Sequence, residues 1–158
     1  MIYAYSDGAC KGNPGVGAWG VVIKNDLLTE EYSGFEPATT NNRMELTAAI
    51  QALAHVKEGS NIVLTTDSKY VIQGITEWIH GWKRKGWTSS AGGEVKNIDL
   101  WQQLDKLVSA RNVKFEWVKG HAGHPENERC DELANIEITK NISILSKVPG
   151  DTDMEFGV

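Results

Sequence analysis

Asp7, Glu45, Asp67 and Asp131 stand where a purely structural role is strained. Asp7 follows the alternating stretch Tyr3-Ala4-Tyr5-Ser6 and reads as ending a strand, on the face of Tyr3 and Tyr5. Glu45 lies one turn before Ala49 and two before Leu53, at the edge of an apolar helical stripe. Asp67 closes the β-prone run Ile62-Val63-Leu64-Thr65-Thr66 at its carboxyl end, where open α/β sheets collect their ligands. Asp131 neighbours Cys130 and a stripe through Leu133 and Ala134. Taken singly, Asp67 can cap a helix, Asp7 can form a turn and Glu45 can complement a helix dipole. Taken together, four carboxylates in one cleft repel and lose solvation, a cost that divalent cations cancel. All-oxygen ligands favour Mg²⁺ or Mn²⁺ over zinc. His121, in the glycine-flanked loop Gly120-His121-Ala122-Gly123-His124, precedes the segment with Asp131 and is placed to move protons.

The elements that must gather these residues follow from periodicity. Residues 2–7 alternate as a strand, 18–24 form a second, and Asn25-Asp26 turns into a weaker third over 29–34. Thr39-Thr40-Asn41-Asn42 supplies capping residues, Asn41 and Asn42 among them, for a helix over 42–57 with the stripe Leu46, Ala49, Ile50, Leu53 and Ala54. Residues 62–66 read as a central strand buried on both faces. Short helices follow near 69–76 and 77–85, then a Ser/Gly loop over 88–97 and an amphipathic helix over 98–110. Val113, Phe115 and Trp117 alternate in a fifth strand, and Pro125 opens a last helix reaching about residue 140. The order β-β-β-α-β-α-α-α-β-α predicts an α/β fold. Its mixed five-stranded sheet has three antiparallel strands plus parallel ones and is flanked by helices. If the first and fourth strands are neighbours, Asp7 and Asp67 are adjacent, and two helices bring Glu45 and Asp131 to the same end.

Composition narrows the field further. The 158 residues fit one domain, and 41% hydrophobic with 23% charged residues is a globular balance. The predicted domain covers 1–141, with 142–158 a loosely ordered acidic tail. A net charge of −5 argues against a chain held on nucleic acid by overall positive charge. No apolar run approaches membrane length, and the stretch Met1-Ile2-Tyr3-Ala4-Tyr5-Ser6-Asp7 lacks the basic region that opens a signal peptide. Cys10 and Cys130 are too few for a disulfide scaffold, and there is no heptad repeat, so a cytoplasmic monomer without membrane contact is expected. Gly15-Val16-Gly17-Ala18-Trp19-Gly20 fits the dinucleotide pattern G-x-G-x-x-G, but a strand rather than a helix follows, so it reads as a turn. A zinc set of His121, His124, Cys130 and Cys10 has no usual spacing.

Four stretches carry a family resemblance. They are Tyr5-Ser6-Asp7-Gly8-Ala9-Cys10, Thr39-Thr40-Asn41-Asn42-Arg43-Met44-Glu45-Leu46, Thr66-Asp67-Ser68 and the run from Gly120 through His121 to Cys130-Asp131. In order and spacing, over roughly residues 1–140, they resemble the bacterial ribonuclease HI family. The resemblance implies a ribonuclease H-like fold and an endonuclease that cuts the RNA strand of an RNA–DNA hybrid, leaving 5′-phosphate and 3′-hydroxyl ends. It implies Asp7, Glu45, Asp67 and Asp131 as ligands of two Mg²⁺ ions, for which Mn²⁺ substitutes, and His121 as an aid to product departure. One ion activates the attacking water and the other stabilises the leaving oxygen.

The partner so implied is a polyanion, and one segment suits it. Trp78, His80, Trp82, Lys83, Arg84, Lys85 and Trp87 interleave aromatics with cations. Trp78 reads as core-facing, whereas Lys83, Arg84 and Lys85 read as a solvated surface whose partner is phosphate. By resemblance this is a protrusion gripping the DNA strand, with Trp82 lining its groove. By resemblance too, Cys10, Asn13, Asn41 and Gln73 lie near the RNA backbone and its 2′-hydroxyls, and Thr40 and Arg43 hold a DNA phosphate. Gly81, Lys69 and Ala9 depart from the family, which often has Asn, Gln and a hydroxyl residue there. Two other readings compete with this one: a two-metal DNA nuclease of the same fold, and a non-catalytic hybrid-binding module, whose signature would be a missing acid.

Overall fold

The computed structural model describes residues 1–146, built on one mixed sheet in the order β3-β2-β1-β4-β5. Strands β1 (Ile2–Lys11), β2 (Gly15–Lys24) and β3 (Thr29–Thr39) form an antiparallel meander. Strands β4 (Asn61–Thr66) and β5 (Asn112–Trp117) add in parallel on the other side of β1. Helix α1 (Asn41–Ala54) follows the meander, and α4 (Ile98–Ser109) and α5 (Pro125–Ser146) precede and follow β5. The expected mixed five-stranded sheet is therefore present, with the first and fourth strands side by side.

Strand alternation divides the core between the two faces. Ala4, Val21, Ile23, Ile62 and Leu64 meet Leu46, Ala49, Leu53, Trp101 and Leu104 from α1 and α4. On the other face Ala18 packs with Ala134 and Ile138 of α5. Two glycines set how closely the helices lie. A Cβ on Gly8 would stand 2.5 Å from the Glu45 nitrogen, and one on Gly20 would stand 2.2 Å from the Cys130 carbonyl. Neither position has room for a side chain. The run over residues 15–20, read as a turn, is instead the first part of β2, paired with β1 from Lys11↔Val16 onward, and Gly20 serves helix packing.

Several boundaries differ from the sequence expectation. β1 does not end at Asp7 but runs on to Lys11, because β2 continues to pair with it through Lys11↔Val16. β3 reaches Thr39 rather than residue 34 through its own ladder with β2. Val63 is only half-buried, so one face of β4 is partly open. α1 has more than an apolar stripe: Met44, Glu45, Leu46, Ala48, Ala49, Ile50, Ala52 and Leu53 are all buried. The helix is enclosed by the sheet and α4, so Glu45 is inside rather than at an edge. Residues 69–84 form a continuous run of α2 (Lys69–Gln73), a π-helical turn (Gly74–Trp78) and α3 (Ile79–Arg84). The wider turn begins where the Trp101 ring lies on Gly74, leaving no room for a Cβ. α5 passes residue 140 and includes 142–146, where no glycine or proline stops it, while residues 147–158 of the expected tail lie outside the described residues. Trp78, read as core-facing, is instead 39% exposed, and Trp82 is half-buried with its ring against Trp78, Trp87 and Trp101.

Candidate active site

The last paired residues of β1 and β4 are Ser6 and Thr66, so the next residues, Asp7 and Asp67, leave the ladder side by side. β4 stops there while β1 continues, and the freed Gly8 N–H donates to Glu45 Oε1 at 2.9 Å. The close approach at Gly8 makes this bond possible. Asp7, Glu45 and Asp67 thus present carboxylate oxygens within 4.8 Å of one another, with Asp7 and Glu45 buried.

The structural roles open to these acids are filled by other residues. Thr40, not Asn41 or Asn42, caps α1, its hydroxyl accepting from Arg43 N–H at 3.2 Å. Ser68, not Asp67, caps α2, its hydroxyl accepting from Val71 N–H at 3.2 Å. Glu45 lies too deep to act as a solvated dipole partner. Among the described residues these acids therefore face one another rather than a cation. Burial, then the charges of Asp67 and Asp131, push the Asp7 carboxyl up to about 8. Burial, followed by Asp7 and Asp67, also raises Glu45 well above its usual range. Asp67 Oδ1 is buried without a hydrogen-bond partner. An orphaned carboxylate oxygen between two raised acids is the donor set a hard divalent cation satisfies, so these residues fit such an ion.

Asp131 stands apart from the three. It affects Asp7 electrostatically, but its Oδ1 accepts from Asn135 Nδ2 at 3.1 Å, and it lies outside the tight group. His121 is exposed on a left-handed backbone (φ 55°) and shares a cavity of about 700 Å³ with Glu128, Asp131 and Asn135. Its neighbour Gly120 presses on the site: a Cβ there would fall 2.7 Å from Asp67 Oδ2. The zinc alternative finds no support. Among the described residues the three acids are the only group placed to hold a metal ion, and His121, His124, Cys130 and Cys10 do not form one.

The residues expected to meet substrate fall into two regions. Cys10, Asn13, Thr40 and Asn41 are brought together where β3 enters α1: Asn41 N–H donates to Asn13 Oδ1 at 3.0 Å, and the Cys10 thiol donates to Gly12 O and Thr39 O. Gln73 is exposed at the end of α2. Trp82, Lys83, Arg84 and Lys85 lie apart from these on α3 and just beyond it. Lys83 is not a free cation, since it pairs with Asp105 at 3.0 Å. Arg43 is engaged as well, by Asp99 and Asn97. Gly81 is open, with only Arg84 Nη2 at 3.9 Å from an added Cβ.

Sequence reasoning missed the supports. Trp117 Nε1–H donates to Asp67 O at 3.0 Å, with Lys69 Nζ lying 4.8 Å from its ring centroid. Asn135, one turn after Asp131, carried a usable i, i+4 signal. Asp99 had none, since an acid in a first helical turn is ordinary.

The chain matches the family model for RNase H over residues 1–139. It is 56% identical over 134 residues to the Ribonuclease H of Neisseria gonorrhoeae, covering 85% of this chain and 92% of that protein. It is also 56% identical over 143 residues to the Ribonuclease H of Halorhodospira halophila, covering 90% and 96%. In three dimensions it resembles LC9-RNase H1, a type 1 RNase H with the type 2 active-site motif, at TM-score 0.76 and 36% identity, covering 85% of this chain and 70% of the other. LC11-RNase H1, solved in complex with an RNA/DNA hybrid, has the same fold at TM-score 0.66 and 24% identity, covering 90% and 99%. Carboxylates gathered at the end of a mixed sheet thus coincide with a match over nearly the whole described chain, and the protein belongs to the RNase H family.

Proposed function

We propose that this protein is an endoribonuclease that hydrolyses the RNA strand of RNA–DNA hybrids, leaving 5′-phosphate and 3′-hydroxyl ends. The observation that carries the reading is the buried trio Asp7, Glu45 and Asp67, with its orphaned oxygen, in a chain of this family. Two Mg²⁺ ions, replaceable by Mn²⁺, are held by these three with Asp131. Bound there, they supply activation of water and charge stabilisation at the leaving oxygen.

The chain's own groups do the positioning. Asp7 and Asp67 are fixed by adjacent strands. Gly8 N–H holds one oxygen of Glu45, and the Trp117 indole holds the Asp67 main chain. His121 presents its imidazole to solvent beside the cavity it shares with Asp131, placed to exchange a proton as product leaves. Cys10, Asn13, Asn41 and Gln73 face the RNA strand, whose 2′-hydroxyls distinguish it from DNA. Thr40, Arg43, Trp82, Lys83, Arg84 and Lys85 face the DNA strand. In the same reading residues 1–141 are the catalytic domain, acting as a cytoplasmic monomer. Among the described residues, no helix is long and apolar enough to cross a membrane.

The test is incubation with labelled RNA–DNA hybrid, duplex RNA and duplex DNA, in Mg²⁺ and then in chelator. Cleavage confined to the RNA of the hybrid, and lost in chelator, is expected. Cutting of duplex DNA, or of nothing, overturns the proposal.

A further inference from the structure

Arg43 and Lys83, two cations assigned to the DNA strand, already hold anions. The Arg43 fork grips Asp99 at both ends, Nη1 to Oδ1 at 3.0 Å and Nη2 to Oδ2 at 2.7 Å. Nη1 also donates to Asn97 Oδ1 at 3.2 Å. Lys83 Nζ meets the two Asp105 oxygens at 3.1 and 3.0 Å. Both acids are on α4, which buries Leu100, Trp101 and Leu104 and is thereby fixed against the core. Asn97 reinforces the arrangement. It sits on a left-handed backbone (φ 61°) and leaves α4 without a side-chain cap, while its amide bridges Arg43 and the Tyr70 hydroxyl. A carboxylate and a phosphodiester offer a guanidinium the same thing, two anionic oxygens matched to its fork. Asp99 therefore stands where a phosphate would bind.

We propose that α4 is an internal competitor for the substrate: Asp99 neutralises Arg43 in the free protein, Asp105 does the same for Lys83, and phosphates of the bound strand displace both. This rests on the assignment of Arg43 and Lys83 to the DNA strand. Solvent keeps the competition weak, since the Arg43–Asp99 side chains are 34% and 55% accessible. A strand must reach α1 and α3 together to displace both acids, so a polyanion of the wrong shape gains little from either cation.

The test is binding of a labelled RNA–DNA hybrid in chelator, where no turnover occurs, by fluorescence anisotropy over a range of salt. Wild type, Asp99→Asn, Arg43→Ala and the double variant are compared, each checked by a circular-dichroism melt. Asp99→Asn is expected to tighten binding about two- to fivefold, the scale of an exposed ion pair. It should also steepen the salt slope by up to about 0.9, the value of one neutralised phosphate. The gain should vanish in the Arg43→Ala background. A gain that survives there overturns the proposal, because Asp99 then acts only through net charge. Unchanged or weaker binding by Asp99→Asn, with Arg43→Ala clearly weakened, also overturns it while leaving Arg43 as a phosphate ligand. If Arg43→Ala binds as wild type, the assignment of Arg43 fails and the competitor with it. Asp105→Asn with Lys83→Ala gives a second cycle with the same expected pattern, and it decides the matter if Asp99→Asn does not fold.

Discussion

Asp7 is 6% exposed and presents a carboxylate oxygen within 4.8 Å of those of Glu45 and Asp67. Asp7→Asn keeps its size and removes its charge. In chelator this variant should melt about 2–6 °C above wild type, the equivalent of one to two kcal/mol for a chain of this size. Its cleavage of hybrid in Mg²⁺ should fall at least about a hundredfold, because a proposed metal ligand is removed. A lower melting point or retained cleavage would place the metal site elsewhere. Asp131→Asn should cost at least about tenfold less than Asp7→Asn in the same assay, well inside the range seen for peripheral groups of metal sites. Asp131 is outside the tight trio and already has Asn135 as a partner.

At the scale of elements, the site depends on how closely α1 approaches β1. Gly8→Ala forces a methyl to within 2.5 Å of the Glu45 backbone and moves the helix away. A loss of about 1–3 kcal/mol in denaturant unfolding is expected, the cost of overpacking. The helical segment after β4 makes a different prediction. Arg84 and Lys85 are exposed, whereas Lys83 is tied to Asp105. Replacing Arg84 and Lys85 with Ala should weaken hybrid binding and flatten its salt dependence by about 0.7–0.9 for each phosphate that is no longer neutralised. An unchanged slope would remove this segment from the interface.

At the scale of the whole molecule, charge and pH act through the metal site. Of the net −5, residues 142–158 carry one lysine against Asp151, Asp153 and Glu155, which leaves −3 on the rest, a charge that the two Mg²⁺ of the proposed mechanism would more than offset. Acids raised in the folded state hold their protons longer there than in the unfolded chain. Their contribution to stability is complete below the unfolded value of 3.8 and is lost as pH rises toward about 8 for Asp7, with Glu45 acting in the same direction. The chelated protein should therefore melt lower at about pH 8 than at about pH 5.5. Mg²⁺ should restore more stability at the higher pH, since it binds only the deprotonated folded site. Melting curves at the two values, with and without Mg²⁺, check both statements, and a metal effect independent of pH would contradict them.

Sequence by itself determined the element order, the five-stranded mixed sheet and the acids at its carboxyl end, because these follow from local periodicity and from residue types that nothing local required. It could not give the length of β1, which β2 alone sustains beyond Asp7. Nor could it assign the caps, since Thr40, Asn41 and Asn42 are equal candidates until the backbone turns. Trp78 and Trp82 share a helical face in sequence, and only the position of Trp101 decided that Trp82 is the one packed against the core. The partners of Arg43 and Lys83 lie more than 20 residues away on α4. Ion pairs of that kind are set by distance in space, and no sequence period records it.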